Sequence, residues 1–186
     1  MQNKYIKKIL EADVYDVAIQ SPMEQAQVLS ERLESEVFLK REDLQPVFSF
    51  KLRGAYNKIR QLDAASRKRG VITASAGNHA QGVALSAHKM AIPATIVMPK
   101  TTPDIKVSSV RALGANVVLF GESFDAASEH SKQLAKQHSY TLIHPFDDSN
   151  GRTSRLLMNY ALLLNDYPPV IVKSVDKKGY LTALNK

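Results

Sequence analysis

The sequence predicts an α/β fold: an open parallel sheet with helices on both faces, followed by a helical tail. Short apolar runs alternate with longer amphipathic stretches between residues 36 and 143, the rhythm of strand–helix–strand units joined by short connections. The run Ala94-Thr95-Ile96-Val97-Met98 does not alternate apolar with polar positions, as expected of a strand covered on both faces. After residue 148 the alternation stops, which separates a sheet-bearing part from the tail.

The elements follow in order. Val37 to Lys40 reads as a strand, and Ser49 to Leu62 as a helix whose first turn Ser49 can cap. Val71 to Ala74 is a second strand and Asn78 to Met90 a second helix. After the strand at 94–98, Thr102-Pro103-Asp104 opens a helix with proline in its first turn. That helix runs to Leu113, and Gly114 stops it. Asn116 to Phe120 is the next strand, Ser123 to Gln137 a helix, and Tyr140 to Ile143 the closing strand. In the tail, Leu156, Leu157, Tyr160, Leu163 and Leu164 share one broad stripe of a helix over 152–165. Tyr167-Pro168-Pro169 breaks it, and a last helix is expected over 177–184.

Composition narrows the class. The 186 residues are 44% hydrophobic, enough to bury a core. No run reaches the roughly 18 apolar residues of a membrane helix, so no membrane association is expected. The N-terminus lacks the apolar core and small-residue cleavage site of a signal peptide, and there is no cysteine, so a cytoplasmic location is expected. The net charge is +7 and the pI about 9.5, which raises nucleic acid as a partner. The basic residues are scattered, however, with Arg67-Lys68-Arg69 the densest group and no aromatics interleaved. A solvated basic surface is the reading, with no nucleic-acid partner. No metal site is expected.

Two segments carry chemistry. Lys51 sits in Ser49-Phe50-Lys51-Leu52-Arg53-Gly54-Ala55, at a helix start, where the positive end of the dipole favours a neutral amine. That form attacks an aldehyde. Ser75-Ala76-Gly77-Asn78-His79-Ala80-Gln81-Gly82 joins a strand to a helix, where unpaired backbone N–H groups form an anion site. Gly77 is expected to let this turn bend. Taken singly, the first reads foremost as a plain solvated lysine, and the second is equally an ordinary capped turn.

Together with Lys40-Arg41-Glu42-Asp43, Val71 to Ala74, Ile96-Val97-Met98-Pro99 and Asp104-Ile105-Lys106-Val107, these segments resemble biosynthetic threonine dehydratases. These belong to the tryptophan-synthase-β-like pyridoxal enzymes. The resemblance spans about residues 4 to 148 and implies a partial fold of type II in a domain over 1–143. It implies pyridoxal 5'-phosphate as cofactor and an amino acid as the small-molecule substrate. Lys51 would form the imine with the cofactor and move the substrate's proton. Asn78 would hydrogen-bond the ring hydroxyl. Ser75, Ala76, Gly77 and His79 would hold the substrate carboxylate through backbone amides. The reaction implied converts threonine to 2-oxobutanoate and ammonia. The family's glycine-rich phosphate loop has no counterpart, since none of the eight glycines are adjacent, and very low or no turnover is expected.

The segment His144-Pro145-Phe146-Asp147-Asp148-Ser149-Asn150-Gly151-Arg152-Thr153-Ser154-Arg155 resembles the Fic-domain signature, over about 144–186. Fic proteins transfer AMP from ATP. By this resemblance His144 would be the base and Asp148 would hold magnesium. Asn150, Gly151, Arg152 and Arg155 would surround the phosphates. Ser149 stands where the pattern has glycine, and the helices that precede the signature in that family have no counterpart. Three readings stay open: a dehydratase impaired by truncation, a Fic-type transferase fragment with ATP and magnesium, and an inactive fusion or assembly module that forms a homo-oligomer. The join between the two resemblances falls within 144–148.

Overall fold

In the computed structural model, which describes residues 11–144, four parallel strands form the main sheet. The sheet strands are β3 (Val71–Ala74), β4 (Ala94–Met98), β5 (Asn116–Leu119) and β6 (Thr141–Leu142). Their spatial order is β5-β4-β3-β6. The register aligns Val71 with Ala94, Thr95 with Asn116, and Val71 with Thr141. The chain therefore builds outward from β3 to β5 and then returns to lie beside β3 on its other side. The helices expected among these strands are α2 (Lys51–Arg60), α4 (Asn78–Lys89), α5 (Asp104–Ala112) and α6 (Phe124–His138).

Strand periodicity explains the layering. Successive side chains point to opposite faces, so Val71, Ile96 and Met98 join one buried cluster with Ala80, Val83, Ala84 and Val107. Ile72 and Val97 join another with Ala127 and Leu134. Helices α2, α4 and α5 cover the first face and α6 the second. Every residue of β3 and β4 is buried, as the unbroken apolar run requires. Gly114 ends α5 at φ +85°, a left-handed conformation that a Cβ would strain.

Several details differ from the sequence reading. The strand near residue 37 is β2 (Phe38–Lys40), and it lies outside the parallel sheet. It pairs antiparallel with β1 (Met23–Gln25), Met23 opposite Lys40. A three-residue strand carries too little pattern to reveal its partner. Two helices were not anticipated: α1 (Gln27–Leu33), which buries no residue, and α3 (Ala64–Arg69), which buries only Ser66. Neither has the apolar stripe that periodicity detects. Pro103 precedes α5 rather than occupying its first turn. Ser49 does not cap α2 in the usual manner, but its Oγ accepts a hydrogen bond from the Lys51 amide at 3.2 Å. The expected tail helices lie outside the described residues.

Among the described residues no helix is long and apolar enough to cross a membrane, and no cluster of metal-binding side chains occurs.

Candidate active site

The carboxyl ends of parallel strands are where this class of sheet places ligands, and the chain leaves β3 there through Ser75, Ala76 and Gly77 into α4. A cavity of about 490 Å³ opens at this edge, lined by Ser49, Phe50, Lys51, Ala74, Ser75, Asn78, His79 and Phe124. Its size falls within the range of small-molecule and cofactor sites. The first residue of α2 and the first residues of α4 thus meet across one space, although 27 positions separate Lys51 from Asn78. Sequence-predicted Lys51, Ser75, Asn78 and His79 are brought together; Ala76 and Gly77 complete the loop between them.

Each element positions its residue for a local reason. Ser75 ends the strand with its amide bonded to the Val97 carbonyl at 3.1 Å, and its Oγ accepts from the Gly77 amide at 3.3 Å. The Ala80 amide closes the first turn of α4 on the Gly77 carbonyl at 3.0 Å, and Asn78 and His79 at the start of that turn line the cavity. His79 is 4% exposed, and its Nε2 lies 3.0 Å from the carbonyl oxygen of Ile143. That oxygen can only accept, so Nε2 carries the proton. The imidazole thereby ties the start of α4 to the end of β6. Lys51 Nζ stands 5.6 Å from the centroid of the Phe50 ring.

The expectation that Gly77 is needed for a bend is corrected. Its φ is −131°, a backbone that any residue adopts, and an added Cβ would meet nothing within 4 Å. The missing side chain leaves space open rather than permitting a turn.

Behind Lys51, the other side of α2 is fixed by charge. Arg53 is 4% exposed. Its Nε and Nη2 donate to the two oxygens of Glu42 at 2.9 and 3.0 Å, and Nη2 also donates to the Ile19 carbonyl at 2.9 Å. Ser21 Oγ donates to the same carboxylate. Gln45 holds both the N–H and the carbonyl of Ile19 at 2.9 Å. Burial pushes the Glu42 carboxyl up, but hydrogen bonds from Arg53 and Ser21, with the charges of Arg53 and Lys40, outweigh it and hold it below the ordinary range.

Sequence reading missed four liners: Ser49, Phe50, Ala74 and Phe124. The first three lie inside segments that carry the resemblance but were given no role there. Phe124 arrives from the start of α6, held by its cap Ser123, and no local signal marks it.

A lysine at a helix start thus faces an asparagine-bearing strand–helix loop across one cavity. The family model for "Pyridoxal-phosphate dependent enzyme" matches residues 14–161, and the chain belongs to that family. Within it, the chain is similar to threonine dehydratases. It is 58% identical over 144 residues to the biosynthetic chloroplastic threonine dehydratase of Arabidopsis thaliana, covering 77% of this chain and 24% of that protein. It is 56% identical over 147 residues to the L-threonine dehydratase biosynthetic IlvA of Burkholderia multivorans, covering 77% and 29%. Among solved structures, the processed form of threonine deaminase isoform 2 from Solanum lycopersicum superposes with a TM-score of 0.82. The two are 49% identical, over 87% of this chain and 47% of that one. The chain thus spans about a quarter of these curated relatives and about half of that solved chain. The family match runs to residue 161 and so passes the join expected at 144–148.

Proposed function

We propose that the cavity beside Lys51 holds pyridoxal 5'-phosphate, and that the chain carries the lysine-bearing part of a threonine dehydratase. The observation that supports this most directly is the convergence of Lys51, Ser75, Asn78 and His79 on one cavity within a chain of this family. The lining suits the group: an amine for an aldehyde, an amide and hydroxyls for ring substituents, and the Phe50 and Phe124 rings for a flat heterocycle. Bound there, the cofactor would supply the electron sink for bonds broken at the substrate's α-carbon.

The chain's own residues then divide the work. Lys51 anchors the cofactor through its amine and, once displaced by the substrate's amino group, is free to take the α-proton. Asn78 hydrogen-bonds the ring hydroxyl and fixes the ring's orientation. The 75–79 loop receives the substrate carboxylate at the start of α4, where the helix dipole favours an anion; its Ser75 and Gly77 amides are already held by the Val97 carbonyl and Ser75 Oγ and shape the loop. The substrate class is a small hydroxy amino acid: the β-hydroxyl of threonine would leave as water, and water would then add back to release ammonia, so that 2-oxobutanoate forms with a net loss of ammonia alone. A cytoplasmic location belongs to this proposal as well.

The test is incubation with pyridoxal phosphate, borohydride reduction and peptide mapping. Label on Lys51, lost in Lys51→Ala, is the expected result. Label distributed equally over other lysines refutes the assignment.

The Fic-like reading of His144, Asp148, Asn150, Gly151, Arg152 and Arg155 stands beside this one on the spacing of its signature alone. Of these, only His144 lies within the described residues, half-buried after β6. The family match through residue 161 favours the first reading across that signature. Magnesium-dependent labelling by ATP that disappears in His144→Ala would reverse the preference.

A further inference from the structure

Helices α2 and α4 touch where Lys51 enters the cavity. A Cβ added to Gly82 would lie 3.2 Å from the backbone carbon and oxygen of Lys51, and 3.2 Å from the amide nitrogen of Leu52. Carbon atoms in ordinary contact stand about 3.5–4.0 Å apart, so even one methyl group does not fit without movement. Gly82 lies inside a regular helix, where glycine costs roughly 1 kcal/mol relative to alanine. Nothing in the helical backbone calls for glycine there; the close approach does.

Position 82 is four residues after Asn78, so both lie on one face of α4. The same stripe that brings Asn78 to the cavity brings Gly82 against the backbone of Lys51. Neither helix can easily yield. Leu52 is 0% exposed and packs on Ala18 and Val47, while Arg53 is bound to Glu42 and Ile19. On the other side, the Gly82 carbonyl accepts a 2.6 Å hydrogen bond from Ser86 Oγ, which is fully buried. Such a bond from a serine to the carbonyl one turn back bends a helix locally.

We infer that Gly82 is a positioning residue: by letting two backbones meet, it sets the separation between Lys51 and the Asn78 loop. The inference rests on Lys51 being the residue that anchors the cofactor. A side chain at 82 displaces the first turn of α2 by a few tenths of an ångström. Misplacement on the order of 1 Å is enough to slow a reaction about a hundredfold, so a fraction of that corresponds to about tenfold.

The test uses the full chain as wild type, Gly82→Ala and Ser86→Ala. Each is incubated with pyridoxal phosphate over a range of concentrations, and the rate of borohydride-fixed label at Lys51 is read by peptide mass. The expected result for Gly82→Ala is about a tenfold lower rate at saturating cofactor, measured on the folded protein, with half-saturation little changed. A merely structural role would move the midpoint and leave the saturating rate of the folded protein intact, and that outcome overturns the inference. If Gly82→Ala does not fold, Ser86→Ala decides, because it adds no atoms and removes the hydrogen bond that holds the Gly82 carbonyl. A lower saturating rate supports the inference and an unchanged one overturns it. Wild-type protein without label at Lys51 overturns this inference together with the anchoring role. Label at Lys51 with equal rates in all three overturns the spacing role alone.

Discussion

Replacing Arg53 with methionine separates the protein's stability from its chemistry, because the guanidinium lies outside the cavity yet holds the helix that carries Lys51. The side chains of Arg53 and Glu42 are 5% and 19% exposed and bond through two nitrogens and two oxygens. Arg53→Met leaves the carboxylate largely buried with Ser21 as its remaining close donor. Removing one member of a buried pair costs about 3–5 kcal/mol. The partial exposure of Glu42 and its Ser21 bond put this case near the lower end, about 3 kcal/mol. Urea unfolding followed by circular dichroism should show this as a midpoint lowered by about 1–3 M. The double variant Arg53→Met/Glu42→Leu removes both charges and should recover most of the loss. Glu42 is held below the ordinary range, so the pair's contribution is full above about pH 4.3. It disappears as pH falls through the lowered value. A loss under about 1 kcal/mol, typical of exposed pairs, or a double variant as weak as the single one, refutes the reasoning.

Tyr56 is 3% exposed and donates to Asp16 at 2.7 Å, so Tyr56→Phe should cost about 1 kcal/mol in urea unfolding at pH 7. Burial, then the bond and charge of Asp16, push the hydroxyl up to about 12; the wild-type advantage should hold below about pH 10 and fade as pH rises to about 12. Ile96→Ala empties a fully buried site between β4 and the helices over it, and the same assay should show a loss of about 2–5 kcal/mol.

The sheet was legible because burial on both faces leaves an unmistakable pattern. Val71–Ala74 and Ala94–Met98 are apolar apart from Thr73 and Thr95 and do not alternate with charged residues, and a chain cannot expose such runs to water without cost. The loop at Ser75–His79 and the lysine at position 51 were legible because their chemistry resides in residue type and immediate context. The sequence determined by itself where the strands and covering helices of the parallel sheet fall; Lys51 and the Ser75–His79 loop were marked only by the two segments taken together with their neighbours.

The tertiary structure decided what depends on distance in space rather than along the chain. Pairing of β2 with β1 rests on backbone hydrogen bonds that any side chain can accompany. Phe124 reaches the cavity only because α6 crosses the opposite face of the sheet. His79, expected on the ligand loop, turns its ring to Ile143, 64 positions away. Gly82 and Gly77 look alike in a sequence. One is glycine because a neighbouring backbone lies 3.2 Å from where a Cβ would be, and at the other an added Cβ meets nothing. Local preference selects the elements; the contacts that position them are made between residues with no local signal of each other, and packing alone brings them together.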